Sequence, residues 1–391
     1  MFLTPILLLS LQGTTPAPRP KGLRLKEIQV PARARAMAPN LSRGPSGVLL
    51  CWLEPGPKKD SVALRFSRRT KEGWSEAETV TSGTRLLSNW ADFPSLIEMR
   101  SGSILAHWLE TGGEDSFTYQ IALELQNRNK AFRRIGYLHD SRGKGEHGFV
   151  SLVRWKKGVQ AFWLDGRDMA KKDGRMLLMT RKVDGEGKLS GELVLDSDVC
   201  TCCQTSATLT DRGPLVVYRD HRKGEIRDIA LVRWTGKGWS KPALVHRDAW
   251  KMPACPVNGP SVDAIGNKVV VAWFTAAGGK ASVRVAFSDN GGKSFGKMIP
   301  IDEQDPLGRV AVVRLDKGCL LGWLGRRGKR AELRLVQVAE DGKLGNVRRV
   351  AQLPANRAVG FPRMLRVDGG ALLVWRGMQK KAGIRSLLIQ Q

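Results

Sequence analysis

The stretch Pro45-Ser46-Gly47-Val48-Leu49-Leu50-Cys51-Trp52-Leu53-Glu54 decides the fold, because its plan returns six more times along the chain. A glycine turn leads into an apolar run that closes on an aromatic residue. The later copies end in His107-Trp108-Leu109-Glu110, Phe162-Trp163-Leu164-Asp165, Val217-Tyr218-Arg219-Asp220, Ala272-Trp273-Phe274, Gly322-Trp323-Leu324 and Val374-Trp375-Arg376. The seven aromatic marks stand 50 to 56 residues apart. A period of that length filled with short alternating segments is the signature of a β-propeller, each period being one blade. Ser282–Phe287 and Ile229–Trp234 read as third strands, and Pro242–Val245 as a fourth, by their period-2 alternation. No amphipathic helix is visible.

The last period is too short for four strands. Ile384–Ile389 supplies a third, and Leu25–Val30, ahead of the first repeat, is placed to supply the outer one. That pairing closes the ring and removes an exposed sheet edge. The expected fold is all-β: seven four-stranded blades, closed by the N-terminal strand, in one domain over residues 23–391. A six-bladed propeller is the alternative.

Composition fits this reading. The chain has 391 residues with 43 glycines and 19 prolines spread along it, which suits many turns and excludes a coiled coil or a wholly disordered chain. Lys and Arg (64) outnumber Asp and Glu (37), a balance of +27, so the surface attracts anions. The charge is scattered and no nucleic-acid module is visible, which makes an acidic glycan or another anionic ligand the expected partner, bound by a monomer. No apolar run is long enough to span a membrane as a mature helix. Residues 1–22 open with Phe2-Leu3-Thr4-Pro5-Ile6-Leu7-Leu8-Leu9, which reads as a signal peptide or a disordered tail. The first reading implies a periplasmic or secreted protein.

Propeller geometry brings two sets of polar residues to one mouth of the ring. Arg43, Asp92, Glu146, His147, Cys200, Cys202, Cys203, Asn258, Arg309 and Arg363 are expected just ahead of the inner strands. Glu54, Glu110, Asp165, Arg167, Arg219, Asp220, Glu225 and Arg227 follow the aromatic marks. The arginines Arg167, Arg219, Arg227, Arg309 and Arg363 suit a carboxylate or phosphate, since the guanidinium fork bonds such groups in pairs. Asp92, Asn258 and His147 join them as candidate ligand-binding residues. Glu146, Asp165, Asp220 and Glu225 are candidate acid–base groups, with Tyr218 beside Glu225 as a candidate nucleophile. Mutual pairing of these charges is the competing reading.

The Cys200-Thr201-Cys202-Cys203 cluster and Cys255 precede the inner strands of adjacent blades. A Cys203–Cys255 or Cys202–Cys255 disulfide is expected. The alternative is a copper or zinc site made by Cys200, Cys202, Cys203 and Cys255 with His147. No other cofactor is implied.

Ser288-Asp289-Asn290-Gly291-Gly292-Lys293-Ser294-Phe295 resembles the Asp-box of sialidase-like BNR-repeat propellers, with Asn290 where Asp is usual. In that family the box is a turn between the third and fourth strands, a structural device. The resemblance implies a sialidase-like glycoside hydrolase acting on an acidic sugar. Such enzymes use three arginines, a Tyr–Glu pair and an acid–base Asp. Seven repeats and the absence of an Arg-Ile-Pro segment depart from the pattern. A non-catalytic binding propeller is therefore the alternative function.

Overall fold

The computed structural model describes residues 22–111, 118–128, 130–141, 145–378 and 383–390. The expected leader, apart from Gly22, lies outside them. Seven four-stranded antiparallel sheets follow one another as blades. The inner strands are Met37–Gly44, Ser95–Glu98, His147–Trp155, Ser206–Thr210, Ser261–Ile265, Gly308–Arg314 and Arg363–Val367. Every aromatic mark falls on the second strand of its blade. Those strands are buried on both sheet faces, which is why they read as unbroken apolar runs. Trp52, Trp163, Trp273 and Trp323 are fully enclosed between neighbouring sheets.

The seventh blade closes as expected. Its outer strand is Arg24–Ile28, which pairs antiparallel with Ile384–Gln390 from Arg24 opposite Gln390 to Ile28 opposite Ser386. The six-bladed alternative is thereby excluded. Among the described residues no helix is long and apolar enough to cross a membrane.

The turn Ser288–Phe295 links the third and fourth strands of the fifth blade, where it was expected. Ser288 Oγ accepts from the Gly292 amide at 3.0 Å, and Asn290 Oδ1 accepts from the Ser294 amide at 3.0 Å. Gly291 and Gly292 sit at φ of 70° and 77°, a region that side chains disfavour. Asn290 thus performs the turn-capping that a carboxylate would perform.

Three inner strands begin with a bulge, where the register shifts between Met37 and Asn40, Gly148 and Ser151, and Gly308 and Ala311. Ala38, Phe149 and Arg309 hold positive φ there. Bulges re-aim side chains at sheet ends, and these three lie at the mouth where the sequence places its polar residues. Arg43 is the exception. The first inner strand begins at Met37, so Arg43 lies near its far end, opposite Val48, and bonds Asp368 at 2.8 Å. It belongs to the other mouth.

Candidate functional site at the plugged mouth

The loop Trp90–Pro94 crosses the mouth and ties five blades together. Trp90 stacks on Phe361 of the seventh blade's approach, with centroids 6.0 Å apart. Ala91 O accepts from Gln204 Nε2 of the fourth blade at 2.7 Å. Asp92 Oδ2 accepts from the bulged Phe149 amide of the third at 2.7 Å. Pro94 O accepts from Asn40 Nδ2 of the first at 3.1 Å, and Arg309, at the start of the sixth, packs over Trp90 at 4.9 Å. Below this plug the axial channel forms a cavity of about 320 Å³ that includes Arg43, Arg154, Asp263, Arg363 and Arg366.

Many residues expected to bind ligand are consumed by this architecture. Asp165 is fully buried and accepts from Trp163 Nε1 at 2.8 Å and from Arg167 Nε and Nη2 at 2.7 and 2.6 Å. Burial opposes its charge, but the Arg167 and His147 contacts win and hold the carboxyl below the usual range. Glu54 likewise accepts from Trp52 Nε1 at 2.7 Å. In the fifth and sixth blades the same indole bond goes to Asp248 and Asp302, each at 2.8 Å. Glu54 and Asp165, two residues after their aromatic marks, are therefore latches for buried tryptophans. Asp165 and Arg167 are corrected from site residues to structural ones.

The same correction applies further round. Arg219 donates to the carbonyls of Asn258, Arg227 and Phe274 at 2.7, 2.6 and 2.8 Å and lies over Trp250. Arg227 donates to Met252 O and Glu225 at 2.7 and 2.8 Å. Tyr218 is buried and donates to Asp196 at 2.5 Å, so it does not pair with Glu225. Glu225 instead meets Arg227 and His221, and their hydrogen bonds hold it below its ordinary value. Asp220 is pushed up to about 6 by burial and by Asp196. Asn258 Oδ1 accepts from the bulged Arg309 amide at 2.7 Å, the role Asp92 plays for Phe149. His147 is buried, stacked on His139 at 3.9 Å with Asp165 3.3 Å from its Nδ1. Arg363 donates to Asn40 at 3.0 Å and covers Phe93.

In and beside the plug lie three more ionisable groups, Asp92, Glu146 and Tyr119. Burial pushes Asp92 up to about 8, and burial also raises Glu146. Glu146 is half-buried and accepts from Tyr119 Oη, so a Tyr–Glu pair exists, but between other partners than expected. Burial, with Asp92 and Glu146 nearby, raises Tyr119.

On the other side of Trp90 a pocket of about 200 Å³ is lined by Trp90, Cys255, Asn258, Arg309, Asn356 and Arg357, among others. Arg309 and Arg357 flank Trp90, at 4.9 and 5.8 Å from its ring. Among the described residues neither has a carboxylate within ion-pair distance. Desolvation and the Arg357 charge lower Arg309 to about 10, so it stays cationic at neutral pH. Trp90 and Arg357 were not singled out from the sequence. Trp90 stands outside the repeating aromatic position, and that departure is the signal by which the sequence offered it.

All six cysteines are free, so the expected Cys203–Cys255 and Cys202–Cys255 bridges are not formed. Cys200 Sγ lies 3.8 Å from Cys202 Sγ and 3.6 Å from Cys203 Sγ. Cys255 Sγ approaches Thr201 Oγ1 at 3.4 Å. His147 does not join the group of close sulfurs. Hydrogen bonds from Cys202 and Cys203 hold Cys200 below the ordinary thiol range. Cys51 and Cys319, in second strands, are buried and pushed up to about 12 by desolvation, which makes them inert.

No family model and no curated protein matches the chain. Among solved structures it is similar to the α-L-arabinofuranosidase Arb93A of Fusarium graminearum with an iminosugar inhibitor, at 14% identity, over 93% of this chain and 96% of that one, with a TM-score of 0.49. The arabinobiose complex of the Penicillium chrysogenum α-L-arabinanase matches at 11% identity with the same coverage, 93% and 96%, and a TM-score of 0.49. AofleA of Arthrobotrys oligospora matches at 13% identity over 85% and 92%, with a TM-score of 0.47. At such identities and scores these likenesses say nothing of what this chain binds. The chain is a seven-bladed β-propeller with a plugged mouth, at which Arg309 and Arg357 meet no carboxylate among the described residues.

Proposed function

We propose that the chain binds an acidic glycan at the plugged mouth, with a sugar ring against Trp90 and its carboxylate between Arg309 and Arg357. The observation that carries this reading is the pair of guanidiniums flanking an aromatic face with no carboxylate of the described chain to neutralise them. Charge-assisted bonds from two such forks favour a planar anion. Pro354, Ala355 and Asn356 also line a cleft of about 880 Å³ that carries Lys329, Arg330 and Arg385, which gives an extended anionic chain a basic path outward.

Calorimetric titration with a uronic-acid oligosaccharide and its carboxyl-reduced, neutral counterpart tests this. The acidic ligand is expected to bind, the neutral one at least tenfold more weakly. Arg309→Ala with Arg357→Ala is expected to weaken binding by roughly 100-fold or more, since each lost charged hydrogen bond costs about 1.5–3 kcal/mol. Equal affinity for both sugars, or an unaffected double variant, contradicts the proposal.

A second reading, hydrolysis, is favoured by the Tyr119–Glu146 pair beside the same plug. It predicts reducing ends released from the oligosaccharide by the wild type and not by Glu146→Gln. Binding without release leaves the chain a binding propeller.

A further inference from the structure

The sulfurs of Cys200, Cys202 and Cys203 lie within 4.8 Å of one another, and among the described residues no histidine or carboxylate joins them. Cys200 Sγ makes S–H···S contacts of 3.6 Å to Cys203 and 3.8 Å to Cys202, spacings that exclude a disulfide. A disulfide needs about 2.05 Å. Two thiolates on one ion, with bonds of about 2.3 Å, stand about 3.8–4.0 Å apart in tetrahedral or trigonal geometry. The Cys200–Cys202 spacing falls in that range and the Cys200–Cys203 spacing lies just below it.

Polar and positively charged groups surround these sulfurs. Cys200 and Cys203 are buried and Cys202 is half-buried. The Asn258 amide points at Cys203 Sγ from 3.4 Å, the kind of outer contact that fixes a thiolate. Arg219 and Arg227 lie close enough to Cys200 for their charges to act on it. The strand anchors the first sulfur, since the Cys200 amide donates to Arg219 O at 3.0 Å. The site therefore does not depend on a mobile loop for its first ligand.

We propose that Cys200, Cys202 and Cys203 bind one copper(I) ion in three-coordinate thiolate geometry. Soft sulfur ligands with no hard donor select copper(I). A structural zinc ion is closed by four ligands; the fourth thiol, Cys255, is exposed, bonds Cys202 and lies outside the group in which each sulfur is close to every other. Three thiolates and one monovalent cation carry two negative charges, which Arg219 and Arg227 oppose. On binding, three S–H bonds give up their protons to solvent and three S–Cu bonds form. Copper enters and stays as copper(I), so no electron is exchanged.

The test uses the full chain, reduced and anaerobic, titrated with copper(I) held by a chromogenic copper(I) chelator. One equivalent is expected to pass from chelator to protein, with sulfur-only, three-coordinate X-ray absorption. Cys202→Ser, at the half-buried position, is expected to keep its melting temperature and to lose the copper. Cys255→Ser is expected to retain it. The proposal is overturned if no copper is captured, if Cys255→Ser abolishes capture, or if zinc displaces copper when both are offered. Copper capture does not depend on glycan binding, and each result stands alone.

Discussion

Replacing Asp92 by Asn will make the protein more stable at pH 8 and above while changing little at pH 4. The carboxyl of Asp92 is buried under the plug and pushed up to about 8 by desolvation. In the unfolded chain it titrates near 3.8. The folded state therefore binds the proton more tightly than the unfolded state does. For a carboxyl whose pKa is raised by folding, stability is full below the unfolded value and falls as pH rises from about 4 to about 8. Every tenfold difference in proton affinity between the two states is worth about 1.4 kcal/mol, so the loss by pH 8 is on the order of several kcal/mol. An amide imitates the protonated acid and has no charge to bury. The fold already uses this solution, for Asn258 holds the Arg309 amide as Asp92 holds the Phe149 amide.

Two buried histidines add a slope of the opposite sign. Burial lowers His107 and His139 to about 3, so stability is lost as pH falls from 6.5 toward 3. The informative quantity is thus the difference between wild type and Asp92→Asn, measured by urea midpoints from pH 4 to 9. A gap that widens with pH is expected. Parallel curves would show that Asp92 is ionised in the folded protein.

Asp165→Asn is expected to destabilise the protein by about 3–5 kcal/mol at neutral pH, the range for breaking a buried charged pair. The variant leaves Arg167 with Glu192 alone and weakens the acceptor of Trp163 Nε1. Because folding lowers the pKa of the Asp165 carboxyl, its contribution is present above about 3.8 and lost as pH falls below that value. The difference between wild type and variant should shrink in strong acid. Folded Asp165→Asn should bind the acidic oligosaccharide as wild type does. Unchanged stability with lost binding would return Asp165 to the site.

The ring was legible because a second strand buried on both faces cannot hide its composition. Trp52, Trp163, Trp273 and Trp323 had to recur at the blade period, and the short seventh repeat required a strand from elsewhere. The site was less legible because it depends on what each ionic group meets in the next blade. Glu54 and Asp165 satisfy an indole two residues back in the same strand, whereas Trp273 and Trp323 take their acceptors from Asp248 and Asp302, more than twenty residues away. Arg219 and Arg167 look identical to Arg309 in sequence, but carbonyls fill the fork of Arg219 and carboxylates that of Arg167, whereas Arg309 gives Nη1 to the carbonyls of Asn356 and Gly360 and meets no carboxylate among the described residues. Arg43 was misplaced because its strand starts at Met37, before the turn that marked it. Trp90 reaches Phe361 from the opposite end of the chain, a contact no local pattern encodes.

Hydrogen–deuterium exchange with and without the uronic-acid oligosaccharide tests the mouth as the binding face most directly. Protection is predicted in residues 89–94, 305–310 and 354–361, with no change in the turn 288–295 on the opposite face. Protection confined to that turn, or to the far end of the channel around Arg43 and Arg366, would contradict the account.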